Sequence, residues 1–125
     1  MDIIFNYKKT LNRLGNDVEL FKLLIETFVS EIPVYTNNLE QALSNNRLSD
    51  LAYEAHRLKG SCLIIGLDCA SNSAYCIEKM VSEHANWNDT VSQAKILIDH
   101  LNHNCKSFLI DQIIQYKKNA QGLVD

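Results

Sequence analysis

Glycine and proline are scarce in this sequence, four and one among 125 residues. That scarcity argues against a many-stranded sheet, whose turns would draw on both. No apolar run approaches the roughly 18 to 20 residues needed to span a bilayer. The opening MDIIFNYKKT lacks the ordered charged, apolar and small-residue regions of a signal peptide. The expected setting is cytoplasmic, away from any membrane, and the Met1 start fits a free protein. A basic excess is missing too: the net charge is -3 and no cluster of Lys and Arg stands out, so nucleic acid is not an expected partner. The cysteines Cys62, Cys69, Cys76 and Cys105 form no CxxC pair, and their spacing fits neither a zinc site nor a compact disulfide framework. Free thiols are expected. The seven-residue recurrence of Cys62, Cys69 and Cys76 reads as accidental, because Gly66, Leu67 and Asp68 interrupt any helix that could carry all three. Finally, no Gly-rich phosphate loop of the Walker or kinase type is present, so nothing points to ATP binding, to a cofactor or to an autokinase.

What is present is the content of an ordered globular chain, 46% hydrophobic and 22% charged, of a length that fits one domain over residues 1–125. Phe5, Leu11 and Leu14 suggest a short leading helix that stops at Gly15. Asp17 can cap a second helix whose apolar residues, from Phe21 through Phe28, Ile32 and Leu39 to Leu43, step by three and four from about Leu20 to Ser44. Pro33 falls inside this stripe, yet the apolar phase does not slip across it, which predicts one kinked helix rather than two. Asn45 and Asn46 supply a turn, and Ser49 or Asp50 can cap a third helix carrying Leu51, Ala55, Leu58, Cys62 and Ile65 before Gly66 ends it. Asp68 opens a fourth helix with Ala70, Ala74, Ile77 and Val81 on one side. The polar stretch Asn86 to Thr90 separates it from a long fifth with Ala94, Leu97, Leu101, Cys105 and Phe108, after which Asn119 to Asp125 read as a frayed tail. Short connections between these helices predict an all-α fold, an up-down antiparallel four-helix bundle with a short additional N-terminal helix.

The third helix carries the chemistry. At about 100° per residue, its core stripe occupies a sector roughly 80° wide, and His56 lies about 130° from the centre of that sector. The imidazole should therefore face solvent, with Lys59 and Gly60 as its neighbours three and four residues on. A neutral imidazole nitrogen is a competent nucleophile near neutral pH. A lysine beside it supplies positive charge for phosphoryl oxygens, and a glycine leaves space where a side chain would crowd the ring.

The whole segment AHRLKGSCLIIG, residues 55–66, resembles the phospho-acceptor signature of histidine-phosphotransfer (HPt) domains. That signature runs approximately Ala-His-x-Leu-Lys-Gly-Ser, then three or four small or apolar residues and a Gly. The resemblance extends along most of the chain, through a leading helix, an acidic helix start as in GNDVEL and a proline within the helix as at Pro33. Cys62 departs from the usual Ser or Ala but faces the core. The resemblance implies that His56 accepts a phosphoryl group, that Lys59 supports it and that Gly60 keeps the site open. It also implies that a Gln or Glu about 22 residues downstream, here Glu78, orients the imidazole; on the fourth helix Glu78 lies at the border between core and solvent. The implied partners are receiver domains of response regulators or hybrid sensor histidine kinases, with the chain acting as a monomeric relay and no enzyme in its own right.

Ala52, Tyr53, Leu63 and Ile64 are apolar but lie off the core stripe, which makes them candidates for the receiver contact. A helical adaptor that binds a partner through this same face without chemistry is the competing reading. A metal-dependent enzyme ranks third. His100 and His103 could touch one metal, but both lie off the apolar stripe of the last helix and no third ligand is evident, so solvated side chains are expected. His84 is expected at the surface near a helix C-terminus, and Trp87 is expected to anchor its loop against the bundle.

Overall fold

The computed structural model describes the backbone of residues 1–120 and the side chains through Tyr116. Its helices are α1 (Tyr7–Arg13), α2 (Val18–Ser44), α3 (Leu48–Ile65), α4 (Asp68–Ser82), α5 (Trp87–Asp99) and α6 (Lys106–Ala120), with a π-helical segment, His100–Cys105, joining α5 to α6. Helix α2 packs against α3, α3 against α4 and α4 against α5, while α5 and α6 close back on α2. The result is an all-helical four-helix bundle in which α5, the π segment and α6 form the fourth member. No helix among the described residues is long and apolar enough to cross a membrane.

Local signals set most of these boundaries. The Asp17 carboxylate accepts the Leu20 backbone N–H, so α2 starts where its cap lies. It then runs unbroken through Pro33. Gly66 ends α3 at φ 80°. A side chain there would strike the Thr10 hydroxyl, and its Cβ would stand 2.8 Å from the Asn6 carbonyl oxygen. The glycine is thus required twice, by its backbone conformation and by the close approach of the N-terminal segment. Arg13 fastens α1 to the same corner, its guanidinium donating to the carbonyls of Leu63 and Ile64, each at 3.0 Å. Both carbonyls belong to the last turn of α3, where no further helical turn follows to use them fully.

Three boundaries differ from the sequence expectation. Phe5 precedes α1 in an extended segment, bridged to Leu67, and stacks on Phe21 and edge-on to Phe108; tertiary contacts outweigh its helical spacing. Helix α3 begins at Leu48 with Arg47 at the cap position, not with Ser49 or Asp50 as cap. Helix α5 begins at Trp87, because the Asn86 side chain accepts the N–H groups of Asn88 and Asp89, so the polar stretch expected as a linker is already helical from that point. Trp87 is half-buried against the core. The helix α6 includes Asn119 and Ala120; the remainder of the expected tail, 121–125, lies outside the described residues.

The core is formed by the anticipated stripes: Leu51, Ala55, Leu58, Cys62 and Ile65 of α3 are all buried, as are Ala70, Ala74 and Ile77 of α4. His100 is a correction. It was expected in solvent, yet it is 2% exposed, and its Nε2 lies 3.3 Å from Cys69 Sγ. The π segment adds residues to the turn and rotates His100 into the core, a shift that counting at the α-helical angle could not anticipate. His103 remains exposed beside Asp99, and His84 is exposed at φ 57° just after α4.

Candidate functional site

His56 stands in the middle of α3 with 68% of its side-chain surface exposed, on the face opposite the buried stripe. The helix after it supplies its partner. Glu78 projects from α4, and its Oε2 lies 3.0 Å from His56 Nδ1. A carboxylate can only accept, so Nδ1 carries the proton and the lone pair of Nε2 faces outward. The Nζ of Lys59 lies 2.7 Å from the other Glu78 oxygen and 5.3 Å from the centre of the Tyr75 ring, over its face. Imidazole, ammonium and carboxylate thus form a chain across the α3–α4 interface.

The electrostatics of that chain favour an ionised Glu78. Burial alone would raise its pKa, but the Lys59 ammonium and the His56 ring outweigh burial and hold the carboxyl below its ordinary value. One anion therefore serves two donors. It fixes the imidazole tautomer through one oxygen and restrains the lysine head through the other.

Gly60 follows on the same face, and a Cβ built there would meet nothing within 4 Å. The sequence reading expected a side chain at this position to crowd the histidine ring. The Cβ itself would not touch the ring in the free protein, and the glycine leaves open space beyond the helix surface. Of the four apolar residues expected at the contact face, Tyr53, Leu63 and Ile64 are exposed at 63%, 49% and 51%, while Ala52 is half-buried. Leu63 and Ile64 line a shallow recess with Arg13 and Leu14.

Other participants were not read from the sequence. Tyr75, half exposed at 52%, flanks the site from α4 beneath Lys59. Arg57, adjacent to His56 in sequence, holds the buried Glu54 with contacts of 2.9 and 3.1 Å and lies over the rings of Tyr35 and Tyr53. The Tyr35 hydroxyl meets Ser61, and burial is the leading reason that its pKa is raised. A periodic pattern reveals which face of one helix is apolar, but it carries no information about which side chains of two helices meet.

The family model described as Hpt domain matches residues 23–107, a span that includes the whole of α3 and α4. Among solved structures, the chain is similar to the HPT domain from the Hpt sensor hybrid histidine kinase from Shewanella. That similarity has 17% sequence identity and a TM-score of 0.78, and it covers 89% of this chain and 94% of that one. No curated protein sequence matches the chain.

Proposed function

The chain belongs to the Hpt domain family, whose role is histidine phosphotransfer in phosphorelays, and from that premise we propose that His56 is its phospho-acceptor, taking the group from a receiver-domain aspartate and passing it to a second receiver. The observation that carries this reading is the pairing of His56 Nδ1 with Glu78 Oε2 at 3.0 Å on an exposed helical face. With Nδ1–H held by the carboxylate, Nε2 attacks phosphorus. The P–N bond forms as the acyl phosphate P–O bond breaks, and the aspartate leaves as a carboxylate. The positive charge that develops on the ring is met by Glu78 through the Nδ1 proton, as in other carboxylate–imidazole pairs. Lys59 supplies the nearest cation for the phosphoryl oxygens, and Gly60 leaves room for the receiver to approach. Transfer to the second receiver runs the same steps in reverse, and the chain ends unchanged.

Incubation with a phosphorylated receiver tests the reading. Label that is acid-labile and base-stable should appear on the wild-type chain and be absent from His56→Gln, with the helical content of the two proteins equal. Label persisting on the variant would move the acceptor elsewhere. Tight receiver binding by the wild type without any label would favour the adaptor reading.

A further inference from the structure

On the side of the bundle built by α4 and the π segment, three soft donors converge that the relay chemistry does not use. Cys69 lies in the first turn of α4, and His100 and Cys105 bound the π segment. All three residues are buried, and their donor atoms lie within 4.8 Å of one another. His100 Nε2 lies 3.3 Å from Cys69 Sγ.

The backbone is shaped for this convergence. Residues five apart on an α-helix point about 140° away from each other. In a π turn, closed by i to i+5 bonds, the angle between them falls to roughly 50°, and such segments recur at functional sites. Here the Lys106 N–H bonds to the Leu101 carbonyl, five residues back, and His100 and Cys105 face the same sulfur.

Packing alone does not explain the imidazole. His100 Nδ1 is buried with no hydrogen-bond partner among the described residues, a cost that a leucine filling the same volume would avoid. A reason for the ring is sought at its other nitrogen, which points at the two thiols.

We propose that Cys69, His100 and Cys105 form a binding site for a thiophilic d10 cation, Cu(I) or Zn(II), coordinated by two thiolates and His100 Nε2. Bond lengths of about 2.3 Å to sulfur and 2.0–2.1 Å to nitrogen place such donors about 3.5–4 Å apart around one ion. Side-chain adjustments of less than about 1 Å from the present positions achieve that. Two thiolates with an imidazole select these ions over hard cations. Binding releases one proton from each thiol that is still protonated, with no change in oxidation state. Only three donors gather among the described residues, an arrangement that suits three-coordinate Cu(I), whereas a closed Zn(II) site takes four.

The test is an anaerobic titration of the fully reduced chain, in one arm with Cu(I) buffered by a competing chelator and in the other with Zn(II). One equivalent bound per chain in either arm supports the site, and the arm that saturates identifies the ion. Cys76→Ser, at an exposed thiol, should bind as the wild type does. Cys105→Ser and His100→Gln should each lose binding at least tenfold. Should either variant misfold, alkylation of the wild type gives an independent readout: the ion should slow labelling of Cys69 and Cys105 while leaving Cys76 unaffected. Sub-stoichiometric uptake in both arms would overturn the proposal. So would undiminished binding by folded Cys105→Ser, or a Cys69–Cys105 disulfide forming in place of metal uptake on exposure to air. None of these outcomes depends on phosphotransfer at His56.

Discussion

Glu78 holds two donors at once, and the two can be separated by substitution. In Glu78→Gln the amide oxygen can still accept the Nδ1 proton of His56, but the charge that restrains Lys59 is gone. Glu78→Ala removes both functions and leaves the imidazole free to rotate and to change tautomer. We expect Glu78→Ala to slow transfer from a phosphorylated receiver by about tenfold or more, each tenfold being roughly 1.4 kcal/mol of barrier. Glu78→Gln should be slowed less, and equal rates for all three proteins would remove Glu78 from the mechanism. Lys59→Ala should slow transfer or shorten the life of the phosphorylated state, with little change in melting temperature. The same ion pair carries a pH signature. Glu78 is held below its ordinary value of 4.5 in the folded chain, so its contribution to stability is present above the unfolded carboxylate pKa and disappears as pH falls through the lower folded value. The contribution is modest, since the side chain retains 23% of its exposure. Melting temperatures of wild type and Glu78→Gln should therefore differ at neutral pH and draw together below about pH 4; a constant gap would mean that the pair does not stabilise the fold. The exposed face of His56 and Lys59 was legible from the phase of α3, whereas Glu78 was reached through the family resemblance, its phase on α4 only agreeing with a place at the border of core and solvent. Tyr75 was not legible, since its place under Lys59 depends on how α3 and α4 lie against each other.

Capping and conformational rules carry the argument at the level of single elements. Gly66 is both left-handed and overhung by Asn6 and Thr10, so Gly66→Ala must strain the backbone and displace the N-terminal segment together. A loss of about 2 kcal/mol or more is expected, visible as a lower midpoint in urea; an unchanged midpoint would show that the corner relaxes freely. The start of α2 and the ends of α2 and α3 followed from Asp17, Asn46 and Gly66, residues whose side chains or φ angles act locally. The fourth member of the bundle was legible only in part. Its stripe of Ala94, Leu97, Leu101 and Cys105 is buried as the spacing requires, because Ala94 and Leu97 before the π segment and Leu101 and Cys105 within it all point to the core. His100 was misplaced because the segment departs from the angle on which the reading rested. Nothing in HLNHNC announces a wider turn, and the packing of His100 against Cys69, 31 positions earlier, is a long-range contact that periodicity does not encode.

For the whole molecule, the outward face of α3 is where the proposed receiver would dock. Tyr53 and Leu63 flank His56 along that face at spacings of three and seven residues, so a receiver centred on the histidine should cover both. Leu63→Asp should weaken receiver binding and slow transfer together without unfolding the bundle, since the side chain is 49% exposed and contributes little to the core. Unimpaired binding measured by calorimetry would put the contact elsewhere. The up-down arrangement was legible from the short connections between successive apolar stripes, whereas the strap formed by Phe5 across Phe21 and Phe108 was not, because Phe5 falls at helical spacing by sequence but is held extended by tertiary contacts. The connection between α3 and α4 bears on how the chain can vary. His56 and Glu78 are 22 positions apart, and only Gly66 and Leu67 separate their helices. Both residues of the His56–Glu78 pair thus belong to one helical hairpin whose register is set inside itself. Lengthening the loops at Asn45–Arg47 or Glu83–Asn86 alters nothing between the two residues, but a single residue inserted at Gly66–Leu67 would turn Glu78 away from the imidazole. Tolerance to insertion should accordingly be uneven along the chain, generous at those two loops and close to nil at the third, and a recombinant that exchanges this hairpin as one piece should carry the His56–Glu78 pair with it intact.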